Sequence, residues 1–232
     1  LFLAIGVLLI GICVLTLLVR KVDISTQLAG TGAASQKTTA AGSLWTRPRV
    51  AFGFVTIFLV LGAEAGLFGL FRNYLEDPTV AGVSSHTSQQ LFTVYFGVFA
   101  LGRLAGSYVQ KRFQPADTLA CNAAAALVFV GLLTVAKGGF AVLSLMLLGF
   151  SVSTFFPTLY ALAIEGLGEQ TAKASGLLTM GFLGCATLPV LQGKIADNFS
   201  LQSSYALAFV AYVAVLAYAW VNRAPRTAST DT

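Results

Sequence analysis

Long apolar stretches alternate with short polar segments along most of this chain. Seven of the stretches approach the ~20 residues that an α-helix needs to cross the hydrocarbon core of a bilayer. They cover about 2–19, 50–70, 91–109, 118–136, 140–164, 175–192 and 204–221. Gly and Pro interrupt several stretches, which membrane helices tolerate because neighbouring helices satisfy the freed backbone groups. The pattern predicts an all-α, polytopic membrane protein that contacts the lipid bilayer along its length.

One long polar segment, residues 20–49, breaks the alternation of spans and short connections. It contains DISTQLAGTGAASQKTTAAGS, which is small, polar and without apolar periodicity, as flexible linkers are. We therefore expect a transmembrane helix at 1–19, a cytoplasmic linker at 20–49, a six-helix transmembrane bundle at 50–222 and a cytoplasmic tail at 223–232. Because the chain opens on Leu1 inside a span, we expect a twelve-span protein truncated at its N-terminus.

Composition and charge agree with a membrane location. Of the residues, 56% are hydrophobic and 10% are charged, whereas soluble domains carry roughly 25% charged residues. If the linker and tail are cytoplasmic, ten of the 14 Lys and Arg lie on that side, Arg103 lies within a span, and three lie outside: Arg72, Lys137 and Lys194. The positive-inside rule therefore predicts a cytoplasmic C-terminus, and the net charge of +5 reflects topology rather than a nucleic-acid partner.

The run FLVLGAEAGLFGLF, residues 58–71, places one carboxylic acid, Glu64, in the middle of a span. An acid at this depth is costly and is functional more often than not. On a helical wheel Phe68 and Phe71 fall beside Glu64, while Gly62, Gly66 and Gly69 fall on the other side, where another helix can approach closely. We expect Glu64 to face a cavity as a substrate or proton ligand; the alternative is a structural carboxylate that is hydrogen-bonded to a neighbouring helix.

The segment GRLAGSYVQKRF, residues 102–113, combines the close-packing pair Gly102 and Gly106 with Arg103 and, further on, Arg112. Arg103 lies roughly 10 Å from the cytoplasmic end of its helix and Glu64 roughly 21 Å, so no direct pair is expected. Arg103 is instead predicted to pair with Glu165 or Glu169 as a cytoplasmic latch, meaning an ion pair that controls inward opening. The alternative is an anchor whose charge snorkels to the membrane surface.

The most polar interior span contains SVSTFFPTLYALAIEGLG, residues 151–168. Pro157 has no N–H and must loosen the helix. Hydroxyls and rings around this point suit a sugar, whose polar edges form hydrogen bonds while its C–H faces lie on aromatic rings. Phe156, Thr158 and Tyr160 are therefore candidate substrate ligands. The alternative is a proline kink that Ser and Thr repair. Gln192, in GCATLPVLQG, is either a further ligand or a helix cap.

Signatures of other chemistries are missing from the sequence. Cys13, Cys121 and Cys185 stand alone in apolar runs, and His86 is the single histidine, so neither a disulfide framework nor a metal site is expected. The sequence has no Gly-rich phosphate loop, no Ser–His–Asp order and no Cys-x-x-Cys. We therefore expect no cofactor and no enzymatic activity.

Three blocks of sequence resemble the major facilitator superfamily, and within it the bacterial fucose/galactose/glucose–proton symporter family. They are GAEAGLFGLFRNYLED, YFGVFALGRLAGSYVQKRF and FPTLYALAIEGLGEQTAKASGLLTMGFLGCATLPVLQGKIAD, which lie within residues 50–221. The resemblance implies the C-terminal six-helix bundle of a major facilitator fold plus one preceding transmembrane helix, partnered by an N-terminal six-helix half. It also implies an inner-membrane location and alternating-access symport of a monosaccharide with a proton, with Phe156 and Glu64 at the sugar cavity.

Two other interpretations stay open at this point. One is a major facilitator carrier for a non-sugar solute such as an acid, a peptide or a drug. The other is a non-transporting structural membrane protein in which Glu64 only packs.

Overall fold

A computed structural model describes residues 45 and 47–223 of the 232-residue chain. The predicted first span at 2–19, the linker up to residue 44 and the tail from residue 224 lie outside the described residues. Within residues 47–223 every regular element is a helix. The α-helices are α1 Pro48–Glu76, α2 Ser85–Val109, α3 Pro115–Leu133, α4 Gly139–Val152, α5 Phe155–Ile164, α6 Thr171–Thr179, α7 Leu183–Asn198, α8 Leu201–Ser204 and α9 Ala206–Val221.

Local sequence explains where several helices begin. Pro48 and Pro115 stand in the first turns of α1 and α3, where a proline loses no backbone hydrogen bond. The Ser84 hydroxyl accepts a hydrogen bond from the Thr87 backbone N–H and so caps α2. This cap starts α2 six residues before residue 91, where the apolar pattern alone predicts the span to begin.

Six segments of the described chain are long and apolar enough to cross a membrane. Three are the single helices α1, α2 and α3. The other three combine shorter helices and cover Gly139–Ile164, Gly168–Asn198 and Leu201–Val221. The predicted all-α, six-span bundle is therefore confirmed.

Helix α1 lies at the centre of the bundle, packed against α5, α7 and α9. Helix α3 packs between α4 and α9, and α2 packs mainly on α4. The apolar side of α1 is fully buried at Ile57, Val60 and Phe71. Helix α2 and the Gly168–Asn198 segment bury the smallest share of their side chains among the six segments.

Glycines set the closest helix contacts. A Cβ atom at Gly62 would lie 2.7 Å from the Gly184 carbonyl oxygen, and one at Gly184 would overlap the Phe58 carbonyl oxygen. Gly66 lies against the Gln192 side chain. The predicted close approach is thus present at Gly62 and Gly66, where α7 crosses α1. It is wrong for Gly69, which is exposed and has no neighbouring atom within 4 Å of an added Cβ.

The second predicted close-packing pair, Gly102 and Gly106, lies against α4 and the start of α5. A Cβ atom at Gly102 would lie 2.5 Å from the Phe150 carbonyl oxygen. One at Gly106 would overlap the Thr154 side chain. Both glycines therefore let α2 approach the Gly139–Ile164 segment at backbone distance.

The bundle has two ends, which differ in their charge. At the basic face, where α1 begins and α9 ends, Arg49 pairs with Glu165 at 2.6 Å and Arg223 pairs with Asp117 at 2.9 Å. At the opposite face Arg72 pairs with Glu76 within α1, and neutral hydrogen bonds join separate segments of the chain. The Tyr74 hydroxyl donates to the Leu133 carbonyl oxygen at 2.7 Å, and the Gly138 N–H donates to the Val80 carbonyl oxygen.

Candidate functional site within the helical bundle

Two of the membrane-spanning segments are discontinuous near their middle. The Gly139–Ile164 segment breaks between α4 and α5 at Ser153–Thr154, and the Gly168–Asn198 segment changes to a 3₁₀ helix at Met180–Phe182. Interrupted helices free backbone groups at membrane depth, where they are tolerated when protein or a water-filled cavity surrounds them. At the second break Gly181 lies against Ile57 and Phe58, about two helical turns from Glu64 toward the start of α1.

Pro157 explains the first break. A residue at position 157 would normally donate its N–H to the Ser153 carbonyl oxygen, four residues earlier, and proline has no N–H to give. The Arg103 Nε–H on α2 donates to that same carbonyl oxygen at 3.0 Å. Arg103 therefore supplies, from a neighbouring helix, the hydrogen bond that Pro157 removes.

The hydroxyls around the break are mostly engaged within the protein. Ser151 donates to the Leu147 carbonyl oxygen and Ser153 donates to the Phe150 carbonyl oxygen. Thr158 is buried and accepts a hydrogen bond from Gln110 Nε2 at 2.7 Å. The serines thus repair the helix, as one of the two interpretations expects, while Thr158 keeps its own O–H as a donor for a ligand.

Glu64 is half-buried, and among the residues that the structure describes its carboxylate forms no salt bridge and no hydrogen bond. The alternative interpretation, a structural carboxylate hydrogen-bonded to a neighbouring helix, is therefore not supported by this part of the chain. As predicted from their depths, Glu64 and Arg103 are not paired. A carboxylate in this position retains its full capacity to bind a proton or the hydroxyl of a ligand.

Rings flank Glu64 on the side toward the opposite face. Phe68 is half-buried, and its ring lies 5.9 Å from that of Tyr95, with edge-to-face geometry. Phe71 is fully buried against Phe92 and Tyr95, so it supports this cluster instead of facing a cavity. Of the two predicted aromatic ligands of α1, Phe68 alone remains partly open to a substrate.

A second ring cluster joins the two discontinuous segments. The half-buried Phe156 lies 5.8 Å from Tyr160 and 5.5 Å from Phe182, measured between ring centroids. Phe182 belongs to the 3₁₀ turn and is exposed. The sequence analysis did not single out Phe182. The available signal was its position between Gly181 and Gly184, which both pack closely against α1.

Gln192 lies inside the seam between α1 and α7. Its side chain is buried against Gly66, and both amide atoms lack a hydrogen-bond partner among the described residues. Because α7 continues to Asn198, the interpretation of Gln192 as a helix cap is not supported. Its two unused polar atoms keep it a candidate ligand.

A pocket of about 350 Å³ opens between α2 and α5 on the basic-face side of the break, lined by Arg103, Ser107, Gln110, Thr154, Pro157 and Thr158. The predicted latch is not closed in this structure. Glu165 binds Arg49, while the guanidinium of Arg103 lies 5.2 Å from the centre of the Phe99 ring. Arg112 lies over the ring of Tyr108. Control of inward opening by Arg103 and Glu165 stays a prediction.

A second pocket, of about 410 Å³, lies at the opposite face, and the sequence analysis did not predict it. It lies where α1 ends and α2 begins and is lined by Phe68, Gly69, Arg72, Asn73, Glu76 and Phe92. The i, i+4 spacing of Arg72 and Glu76 predicts their ion pair but not the pocket, because Phe92 comes from another helix. Elsewhere in the described residues, no three His, Cys, Asp or Glu side chains come together as metal ligands would.

Comparison with known proteins agrees with this architecture. Residues 77–232 match the model of the Major Facilitator Superfamily. The chain is 30% identical over 181 residues to a glucose/galactose transporter of Brucella abortus, covering 78% of this chain and 44% of that protein. It is 29% identical over 215 residues to a putative glucose/galactose transporter of Helicobacter pylori, covering 90% of this chain and 52% of that protein.

A solved structure of the fucose:proton symporter of Escherichia coli superposes with a TM-score of 0.77 at 20% identity, covering 84% of this chain and 48% of that one. The chain therefore spans about half the length of the relatives it matches. The family match, the six spans and the shared fold confirm the resemblance indicated by the sequence motifs. The chain belongs to the Major Facilitator Superfamily.

Proposed function

We propose that this chain forms one wall of an alternating-access pathway for a monosaccharide, and that transport is coupled to protons. The observation that carries the proposal is Glu64, a half-buried carboxylate in the middle of α1 without a partner among the described residues. Relatives named as glucose/galactose transporters and as an L-fucose–proton symporter support a sugar as the substrate class.

The ring clusters on either side of Glu64 fit the same substrate class. Sugars present C–H faces that pack on aromatic rings and hydroxyls that hydrogen-bond to a small number of polar groups. Phe156 and Tyr160 from α5 and Phe68 from α1 offer the rings. Glu64, Thr158 and Gln192 offer the polar groups.

Alternating access requires a second wall, which we propose is another six-helix bundle, as the family resemblance implies. We further propose that the basic face is cytoplasmic and that the protein resides in the inner membrane. Inward opening would then expose the pocket beside Arg103, since this pocket lies on the basic-face side of the break.

Uptake into proteoliposomes tests the substrate class. Labelled fucose, galactose, glucose and N-acetylglucosamine are supplied to the chain reconstituted together with the proposed second six-helix bundle, as in a full-length protein, with and without an inward proton gradient. We expect saturable uptake of at least one sugar, accelerated by the gradient and inhibited by the same unlabelled sugar. If none of the four sugars is taken up while a peptide or an organic acid is, the protein is a carrier for a non-sugar solute.

A further inference from the structure

We propose that the pocket at the opposite face is a second monosaccharide-binding subsite, in which Arg72 and Asn73 hydrogen-bond sugar hydroxyls and the edges of two phenylalanine rings border the sugar. The choice of ligand class rests on the proposed function. The subsite is distinct from Glu64, because eight residues of helix separate Glu64 from Arg72, or roughly 12 Å.

The volume and walls of the pocket suit a small polar ring. At about 410 Å³ it falls within the range of roughly 300–1,000 Å³ that is usual for ligand pockets. Phe68 and Phe92 are half-buried and contribute only the edges of their rings, so most of the lining is polar. No atom lies within 4 Å of the position that a Cβ atom would take at Gly69, so the pocket is open beside this residue.

The polar groups are held in place and are charge-balanced. Arg72 donates through both Nε and Nη2 to Glu76 Oε1, at 3.2 and 3.1 Å. Glu76 is itself fixed by hydrogen bonds from the hydroxyls of Ser85 and Ser88 on α2. A guanidinium has five N–H groups, so three remain free to bind a ligand.

Charge balance selects the class of ligand. Because Glu76 neutralises Arg72, the pocket offers directed donors without net positive charge, which favours a neutral polyhydroxylated ring over a carboxylate or a phosphate. Asn73 is exposed, and its amide forms no hydrogen bond with the described residues. It therefore adds two donors and an acceptor.

The position of the subsite indicates what it does in transport. Glu64, Phe68 and Arg72 are spaced four residues apart and share one stripe of α1. Phe68 lines the pocket and is one helical turn from Glu64. A sugar bound at Arg72 would thus lie on the same side of α1 as Glu64, which is in the middle of the span.

Protection of an introduced cysteine tests the subsite directly. Gly69→Cys places a thiol in the pocket without removing any proposed ligand, since the added side chain meets no atom within 4 Å. Gly193→Cys on α7 is the matched control, because its added side chain is equally unobstructed and lies outside the pocket. Both are made with Cys13, Cys121 and Cys185 replaced by Ala. The rate of maleimide alkylation is measured in lipid nanodiscs with galactose, glucose, fucose or, as a control polyol, mannitol.

We expect at least one of the three sugars to slow alkylation of Gly69→Cys at least fivefold and to leave Gly193→Cys unchanged. Adding Asn73→Ala or Arg72→Gln abolishes the protection. Adding Lys194→Gln, which removes an exposed cation near the same end but outside the pocket, does not. The protection persists in Glu64→Gln, because the subsite binds independently of the middle of the span.

Equal rates with and without each of the sugars would overturn the subsite, as would protection that survives both Asn73→Ala and Arg72→Gln. Protection that disappears in Glu64→Gln would assign the signal to sugar bound at Glu64 and also reject the subsite. Sugar uptake without protection rejects the subsite and leaves the proposed function intact. Protection without uptake rejects sugar transport and leaves the subsite.

Discussion

At the scale of single residues, Glu64 and Gln192 are both polar groups without a partner in the described structure, but they differ in access. Glu64 is half-buried at the flank of α1, whereas Gln192 is enclosed between α1 and α7. The sequence predicts an acid facing a cavity because the glycines on the other side of the same helix identify the packed seam. It does not reveal that Gln192 lies in that seam, since the register between two helices is fixed by contacts distant in sequence.

Gln192→Met separates the structural and functional roles of this amide. A buried polar group without a hydrogen bond costs about 1–3 kcal/mol, so a side chain of similar volume without polar atoms should leave stability equal or higher. Sugar uptake should fall if the amide binds substrate during the transport cycle. Thermal unfolding in detergent and uptake in proteoliposomes are measured beside Gln90→Met, an exposed control. A marked loss of stability in Gln192→Met would show that the amide is bonded after all.

At the scale of elements, the spans are predictable because the length of each apolar stretch identifies them. The interruptions of the spans can be predicted only in part. Pro157 predicts a weakened helix, and the break falls four residues earlier because that is where the missing N–H would have bonded. The donor that replaces it, Arg103, comes from 50 residues away in the chain. The sequence predicts a latch role or a snorkelling anchor for Arg103 and does not reveal this hydrogen bond, since the packing of α2 on α4 and α5 is fixed by contacts distant in sequence.

A double-mutant cycle tests whether Arg103 compensates for Pro157. Arg103→Met in the otherwise unchanged protein should lower the free energy of unfolding by about 1–3 kcal/mol, the cost of leaving a buried carbonyl unsatisfied. In Pro157→Ala, the new N–H can bond the Ser153 carbonyl oxygen, so the same Arg103→Met change should cost clearly less. Arg112→Met, which leaves this carbonyl untouched, is the control. Equal costs in both backgrounds would contradict the compensation.

At the scale of the whole molecule, six spans with alternating direction follow from hydropathy and connection length, and the structure agrees with them. The ends of the bundle differ in the bonds that join distant segments: these are ion pairs at the basic face and neutral hydrogen bonds at the opposite face, where the ion pair Arg72–Glu76 lies within one helix. The Arg49–Glu165 pair has side chains that are 38% and 66% exposed, so it adds little stability. The pocket at the opposite face could not be predicted, because Phe68 and Phe92 come together only when α1 and α2 pack.

Orientation is tested with one cysteine at each end of the bundle. Lys137 and Lys111 are both exposed, the first at the opposite face and the second at the basic face. If the basic face is cytoplasmic, a membrane-impermeant thiol reagent should label Lys137→Cys in intact cells. Lys111→Cys should be labelled only after permeabilisation. The reverse pattern would contradict the predicted topology.

Gradient-driven sugar uptake by Glu64→Gln, measured with the proposed second six-helix bundle present, tests the central claim most directly. The amide keeps the shape of the side chain but cannot carry a proton, so we expect acceleration by an inward proton gradient to be lost and gradient-driven uptake to fall at least tenfold. Asp197→Asn, which neutralises an exposed carboxylate at the opposite face, should behave like the unmodified protein. Uptake by Glu64→Gln that keeps its normal rate and its response to the gradient would contradict the account and make Glu64 a packing residue.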